Sequence, residues 1–297
     1  MLENPEVIKD SLKKIRQIEI RTRRLLDSHF IGSYKSIFKG QGIDFEEIRE
    51  YIPGDDVRSI DWNVTAKTEK LYVKQFREDR ERVMMIAVDV SGSLDFGSGN
   101  ISKREVLTEI SSILAVSAIK NNDKVGLILF SDKIERFVPP NKGKKHVLRI
   151  LREILFARPT SRGTNLIHAC ENLHRLLKKR SIIFFLSDFL LNEQESSKEF
   201  FKQIGILNRR HELIGINIED TIEQTFANVG YINLADSETG ENIFINSKSC
   251  IKKFQNLQKK AKDTRDHEFK KFGIDLLNLN ANADYITQLE KFFVNKK

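Results

Sequence analysis

The sequence predicts an α/β fold in which helices cover both faces of a mostly parallel central sheet. From residue 83 onward, short apolar runs alternate with longer segments whose apolar residues recur at helical spacing. The run 83–88 is apolar at every position, as strands buried on both faces are. Because strands and helices in alternation form parallel sheets, we expect residues 83–297 to make one such domain.

The elements of this domain follow from the same alternation. The expected strands, each an apolar run beside polar or turn residues, are 83–89, 125–130, 181–188, 213–218 and 274–279. The expected helices, each with apolar residues three or four apart, are 103–120, 144–156, 165–178, 193–208, 251–272 and 284–293. The segments 231–234 and 242–245 flank the turn sequence DSETG, which predicts a β-hairpin inserted near 231–246.

Residues 1–82 follow a different pattern. Between residues 6 and 30, apolar residues at helical spacing lie among Lys and Arg residues, which predicts an amphipathic helix. The stretch 32–42 contains glycines, and after it a Pro53-Gly54 turn and an alternation through Leu71 and Val73 predict short antiparallel strands. Since no low-complexity linker follows, we expect this helix and small β-subdomain to pack on the core domain.

The densest group of charged residues lies in this β-subdomain. It consists of Asp44, Glu46, Glu47, Asp55, Asp56 and Asp61, together with Arg49, Arg58 and the single tryptophan, Trp62. We interpret it as a turn-rich unit held by ion pairs and by hydrogen bonds from the backbone to Asp side chains. A docking surface for a partner is the alternative.

Charge and composition favour a soluble, cytoplasmic protein. The net charge is +8, and residues 248–297 carry twelve Lys and Arg against six Asp and Glu. Acids interspersed at helical spacing indicate solvated helix faces, and no nucleic-acid-binding motif accompanies the charge, so we expect no nucleic-acid partner. No apolar run approaches the ~20 residues of a membrane span, and the start lacks the features of a signal peptide. The two cysteines argue for a reducing compartment.

Oxygen-bearing side chains follow two of the predicted strands. Asp89, Ser91 and Ser93 come directly after the run 83–88, at the strand end where open α/β sheets keep their sites. Asp188 ends a second apolar run, and Thr164 lies in a loop after Gly163. Five such oxygens suggest a hard divalent cation: Mg²⁺, with Mn²⁺ and Ca²⁺ as alternatives. In the competing interpretation, Asp89 and Ser91 only cap the next helix.

Motifs for catalysis are incomplete. A phosphatase with Asp89 as nucleophile would need a second Asp two residues on, where this chain has Ser91. A G-x-S-x-G nucleophile motif and a complete P-loop are both missing, and His168 and His174 are six residues apart, off a shared helix face. We therefore expect a non-enzymatic protein. A metal-dependent phosphoester hydrolase and a metal-free basic scaffold remain as alternatives.

The pattern D-x-S-x-S, then a loop threonine, then a strand-end aspartate resembles the metal-ion-dependent adhesion site of von Willebrand factor A domains. This resemblance implies that Ser91 and Ser93 bind the metal directly. It also implies that Thr164, Asp89 and Asp188 bind it directly or through water, and that an open position accepts a partner's carboxylate. It further implies a Rossmann-like sheet.

A second resemblance covers almost the whole chain. The segment GQGIDFEEIREYIPGDDVRSIDW, followed by TAKTEKLYVKQFRED and then the metal motif, is similar to domain of unknown function family 58. Proteins of that family are commonly encoded beside MoxR-type AAA+ ATPases, and some carry transmembrane helices. The resemblance implies an adaptor whose metal site binds an acidic side chain of such an ATPase or of its client protein.

Overall fold

The computed structural model describes residues 44–68, 70–77, 82–99, 101–191, 196–224, 230–235, 240 and 242–296. The helix expected over residues 6–30 lies outside these residues. Those described fall into two compact units, one covering 44–77 and one beginning at Arg82. That residues 1–82 pack on the core stays a prediction.

The smaller unit is built around an antiparallel strand pair. Strand β1 (Asp44–Glu50) pairs with β2 (Tyr72–Arg77), and helix α1 (Trp62–Thr68) lies between them in sequence. The Arg49 guanidinium donates to both carboxylate oxygens of Asp55 at 2.8 Å. The Ile52 backbone N–H donates to the same carboxylate, and Asp61 accepts from the backbone of Asn63. These contacts are of the two kinds expected for this unit, an ion pair and hydrogen bonds from the backbone to Asp side chains.

The larger unit contains a six-stranded sheet. Its strands are β3 (Val83–Asp89), β4 (Lys124–Phe130), β5 (Ile134–Asn141), β6 (Ile182–Ser187), β7 (Glu212–Glu219) and β10 (Asp275–Asn280). They lie in the order β10-β7-β6-β3-β4-β5, with only β5 antiparallel to its neighbour. Numbered along the chain from one to six, this is the doubly wound order 3-2-1-4-5-6. The predicted mostly parallel α/β fold is confirmed.

The described helices of this unit lie between the strands in sequence, except for the last, which follows the final strand. They are α2 (Lys103–Lys120), α3 (Lys144–Leu155), α4 (Leu166–Leu176), α5 (Ser197–Arg210), α6 (Thr221–Gln224), α7 (Ser247–Lys271) and α8 (Tyr285–Asn295). The predicted hairpin is present as β8 (Tyr231–Ala235) paired with β9 (Asn242–Asn246). None of the described helices combines the length and the apolar character needed to cross a bilayer.

The core occupies both faces of the sheet because consecutive strand residues point to opposite sides. Phe185 of β6 belongs to a buried cluster that includes Leu166 of α4 and Phe200 of α5. Its neighbour Phe184 packs against Phe293 of α8, with ring centroids 6.0 Å apart. Burial on both faces explains why β3 and β6 are apolar at nearly every position.

Strand β5 was not among the strands predicted from the sequence. Its sequence, IERFVPPN, contains two adjacent prolines, which lack the N–H that a central strand must donate. Adjacent strand residues direct their N–H groups to opposite sides, so the two prolines are tolerated because β5 lies at the edge of the sheet and its pairing with β4 is irregular between Val138 and Asn141.

Candidate functional site

The candidate site lies where the order of the sheet reverses, between β3 and β6. The connections from β3 and from β6 lead to opposite sides of the sheet at this point, which leaves a crevice at the carboxyl ends of the strands. The two strands pair in register as far as Val88 and Leu186. Asp89 and Ser187 therefore follow side by side, and Asp188 comes next.

The loop after β3 brings the predicted Asp and Ser residues together. Asp89 is 1% exposed, and its Oδ1 accepts a hydrogen bond of 2.9 Å from the backbone N–H of Ser91. The hydroxyl oxygens of Ser91 and Ser93 are 3.1 Å apart. Ser91 is buried and Ser93 is partly exposed. The loop thus places one carboxylate and two hydroxyls in a row that runs from the buried end of the strand toward solvent.

These side chains do not cap the next long helix. Helix α2 begins after Ser102, whose hydroxyl accepts from the Glu105 N–H while the Glu105 carboxylate accepts from the Ser102 N–H. Ser91 precedes a short 3₁₀ turn, Gly92–Asp95, and makes no capping bond to it. The alternative that Asp89 and Ser91 serve as a helix cap is therefore not supported.

Ser187 joins the two strand ends. Its hydroxyl donates to Oδ2 of Asp89 at 2.7 Å and accepts from the backbone N–H of Phe189 at 3.0 Å. Phe189 has a left-handed backbone, with φ of 51°, and its buried ring stacks on Phe185. Packing of that ring holds the turn in which Asp188 lies. Ser187 could not be singled out from the sequence because it lies inside the predicted strand 181–188.

Asp188 is bound by a buried lysine. Its Oδ2 accepts from the Lys103 ammonium at 3.1 Å, and its Oδ1 accepts from the backbone N–H of Leu190 at 3.3 Å. The same ammonium lies 2.6 Å from a carboxylate oxygen of Glu223. Neither Lys103 nor Glu223 was predicted to belong to the site, because these contacts join residues 85 and 120 positions apart in sequence.

Thr164 is held at the same edge of the sheet and is 2% exposed. Two residues before it, the carbonyl of Arg162 accepts from the backbone N–H of Gly92 at 2.8 Å. One residue after it, the Asn165 N–H donates to the carbonyl of Ser131, at the end of β4. The threonine loop therefore lies beside the loop that carries Ser91 and Ser93.

The electrostatics of the site favour added positive charge. Burial, and then the nearby negative charge of Asp188, raise the pKa of Asp89 to about 7, and hydrogen bonds from Ser91 and Ser187 offset this only in part. Burial would lower the pKa of Lys103, but the carboxylates of Asp188 and Glu223 outweigh it, so that pKa is raised. Three carboxylates and one ammonium sum to a formal charge of −2. An uncompensated buried charge of this size is costly and favours a cation or bound protons.

The available ligands suit a hard cation only when hydroxyls are included. Among the residues that the structure describes, no three or more His, Cys, Asp or Glu side chains form a cluster able to hold a metal. A metal here would have to use the two aspartates together with the hydroxyls of Ser91, Ser93 and Thr164. Such an all-oxygen set suits Mg²⁺ or a similar hard divalent ion.

Comparison with known families identifies the chain. The family model described as "Protein of unknown function DUF58" matches residues 47–266, which is most of the chain and includes all five predicted site residues. This chain belongs to the DUF58 family. The resemblance seen in the sequence is thereby confirmed.

Relatives of this DUF58 protein include two uncharacterized proteins. "Uncharacterized protein Rv1480" of Mycobacterium tuberculosis is 26% identical over 286 residues, which cover 95% of this chain and 89% of that protein. "Uncharacterized protein YeaD" of Bacillus subtilis is 29% identical over 110 residues, which cover 37% of this chain and 25% of that protein.

Solved structures similar to this DUF58 protein include a von Willebrand factor A domain, that of SpRpn10. It is 12% identical, covers 73% of this chain and 96% of its own, and has a TM-score of 0.43. The protein BatB from Bacteroides thetaiotaomicron is 12% identical, covers 72% of this chain and 98% of its own, and has a TM-score of 0.46. The fold class rests on the strand order itself.

Proposed function

We propose that this protein is a non-enzymatic, metal-dependent protein-binding adaptor. The cation would be divalent, with Mg²⁺ preferred over Mn²⁺ and Ca²⁺, and would bind an acidic side chain of a partner. Its ligands would be Asp89, Ser91, Ser93, Thr164 and Asp188. The observation that carries the proposal is the pair of buried aspartates at adjacent strand ends. Burial, and then the negative charge of Asp188, raise the pKa of Asp89, and hydroxyl oxygens lie beside the two carboxylates.

Each residue would have a distinct part in this binding. Asp89 and Asp188 supply the negative charge that holds the ion, and Ser187 together with the Ser91 N–H fixes the Asp89 carboxylate. The serine and threonine hydroxyls are neutral, so they leave the bound ion able to attract a further carboxylate. Ser93 is the partly exposed member of the loop, so a partner would approach from its side.

The proposed partner is a MoxR-type AAA+ ATPase or its client protein. This choice rests on membership of the DUF58 family and on the expectation, drawn from the sequence resemblance, that such ATPases are encoded beside members of the family. In this arrangement the ATPase would supply ATP hydrolysis, and the DUF58 protein would connect it to a client.

Binding of the ATPase in Mg²⁺ and in EDTA tests this proposal. Wild type should bind only in Mg²⁺, and Asp89→Ala should not bind, because loss of one member of a buried charged contact typically costs ~2–5 kcal/mol, or about 30-fold or more in affinity. Asp263→Ala is the matched control, since Asp263 is an exposed aspartate of α7. Equal binding of wild type in Mg²⁺ and in EDTA would rule out a metal-dependent contact.

One observation favours a second candidate, a metal-free scaffold that binds an acidic surface. Residues 247–262, in the first part of α7, include six lysines and no Asp or Glu. Four of these lysines, Lys252, Lys253, Lys259 and Lys260, are exposed. A scaffold of this kind would lose its partner steeply as salt rises and would not respond to EDTA. The same binding measurement, repeated at two salt concentrations, separates the two candidates.

A further inference from the structure

Lys103 is a fully buried lysine placed against the candidate metal site. Its side chain is 0% exposed, and its ammonium contacts Asp188 Oδ2 at 3.1 Å and Glu223 Oε1 at 2.6 Å. Lysine is almost never buried to this extent unless it is paired, so these two carboxylates account for its position. The D-x-S-x-S motif gives no indication of either contact.

The location of Lys103 in its helix is unfavourable in itself. It is the first residue of α2, where the helix dipole favours negative charge and opposes an ammonium. The capping box formed by Ser102 and Glu105 already serves the start of this helix. Helix stability therefore does not explain a buried cation here.

Glu223 is held at both of its carboxylate oxygens. One of its carboxylate oxygens accepts from Lys103, and the other accepts from the backbone N–H of Asp220 at 3.1 Å. Asp220, itself buried, accepts from the backbone N–H of Ser98 at 2.9 Å. Glu223 is thus tied to the loop that precedes α2, and both members of the pair are held in place.

The charges of the cluster explain what such a pair can do. The charges of Lys103 and Glu223 cancel, so these four groups carry −2 when Asp89 and Asp188 are both ionised, equal and opposite to one divalent cation. The nearby Arg104 adds no net charge, because it pairs with Asp95 at 2.9 Å. The charge that the site presents to a metal therefore depends on both members of the pair.

We propose that Lys103 and Glu223 set the affinity of the metal site as a fixed pair of opposite charges. Lys103 positions Asp188 through Oδ2 and weakens cation binding, and Glu223 offsets that effect. This inference rests on the proposed metal site. It adds two positioning residues outside the five of the motif.

Titration of Mn²⁺, used as a probe ion that is detected by its paramagnetic resonance, tests the pair. Lys103→Met leaves a charge of −3 and should bind Mn²⁺ about tenfold or more tighter than wild type, while Glu223→Gln leaves −1 and should bind it weaker by a similar factor. The double variant restores −2 and should lie within about threefold of wild type. Thermal unfolding in EDTA checks that each variant is folded.

The direction in which the Mn²⁺ affinity changes in each variant shows whether Lys103 and Glu223 tune the metal site or only support the fold. If Lys103 and Glu223 only support the fold, both single variants should lose stability without moving the Mn²⁺ affinity in opposite directions, and that result overturns the inference. If Lys103→Met fails to fold, weakening by Glu223→Gln and its rescue in the double variant are still required. Folded wild type that binds no Mn²⁺ refutes the proposed function itself, whereas binding that is unchanged in every variant refutes the charge pair alone.

Discussion

Asp89→Asn should stabilise the metal-free protein near neutral pH, although it alters a buried residue of the site. The neutral amide removes a charge that burial and Asp188 make unfavourable. The new side chain can keep the local bonds, because its oxygen can accept from the Ser91 N–H and its NH₂ can donate to the Ser187 hydroxyl. The electrostatic cost is thus removed, while the Ser187 hydroxyl changes from donor to acceptor and its O–H loses Asp89 as a partner.

The magnitude follows from the raised pKa. The pKa of Asp89 rises from 3.8 to about 7 on folding, and each pKa unit corresponds to about 1.4 kcal/mol, so ionised Asp89 costs the folded state about 4 kcal/mol. Below about pH 4 the carboxyl is protonated in both states and the cost vanishes. As pH rises from about 4 to 7, the unfolded chain releases this proton and the folded chain keeps it, so wild-type stability falls. Above about pH 7 the cost is constant.

Urea unfolding in EDTA at about pH 5 and about pH 8 measures this effect. The advantage of Asp89→Asn over wild type should grow by roughly 2–3 kcal/mol between the two values. Asp263→Asn, at an exposed position, should stay within about 0.5 kcal/mol of wild type at both. If Asp89→Asn is less stable than wild type at the higher pH, or if its advantage does not change with pH, then ionised Asp89 does not destabilise the folded protein.

Three further outcomes are expected. Ser187→Ala should lower the free energy of unfolding by about 1–3 kcal/mol, because Asp89 and the Phe189 N–H both lose a buried hydrogen-bond partner; denaturant titration against Ser93→Ala, at a partly exposed position, checks this. Mg²⁺ at about a hundred times its Kd should stabilise wild type by about 2.7 kcal/mol and should not stabilise Asp188→Ala, as thermal melts would reveal. Phosphoester substrates should not be turned over with Mg²⁺ or Mn²⁺, and turnover that disappears in Asp188→Ala would favour a hydrolase instead.

The sheet could be predicted largely from the sequence because its inner strands are buried on both faces. Such strands are apolar at consecutive positions, and β3 and β6 were recognised on that ground. Strand β5 was not, because Pro139 and Pro140 interrupt the strand pattern and are tolerated here at an edge strand whose pairing is irregular. Whether a segment lies at an edge is set by the order of the strands, which local sequence does not encode.

Likewise, only some residues of the candidate site could be predicted from the sequence. Asp89 and Asp188 could be singled out because each ends an apolar run, and strand ends of a parallel sheet meet at one edge. Ser187, Lys103 and Glu223 could not, because their parts depend on contacts between distant segments. From its position at the start of a predicted helix, Lys103 would be expected to be exposed, whereas it is fully buried.

The proposed adhesion requires a bound ion, so calorimetric titration of Mg²⁺ into wild type and Asp188→Ala is the decisive measurement. Wild type should bind one ion per chain, Asp188→Ala should show no measurable binding, and Asp263→Ala should behave as wild type. A folded wild-type protein that takes up no divalent cation near neutral pH, or an Asp188→Ala variant that binds as wild type does, would contradict it.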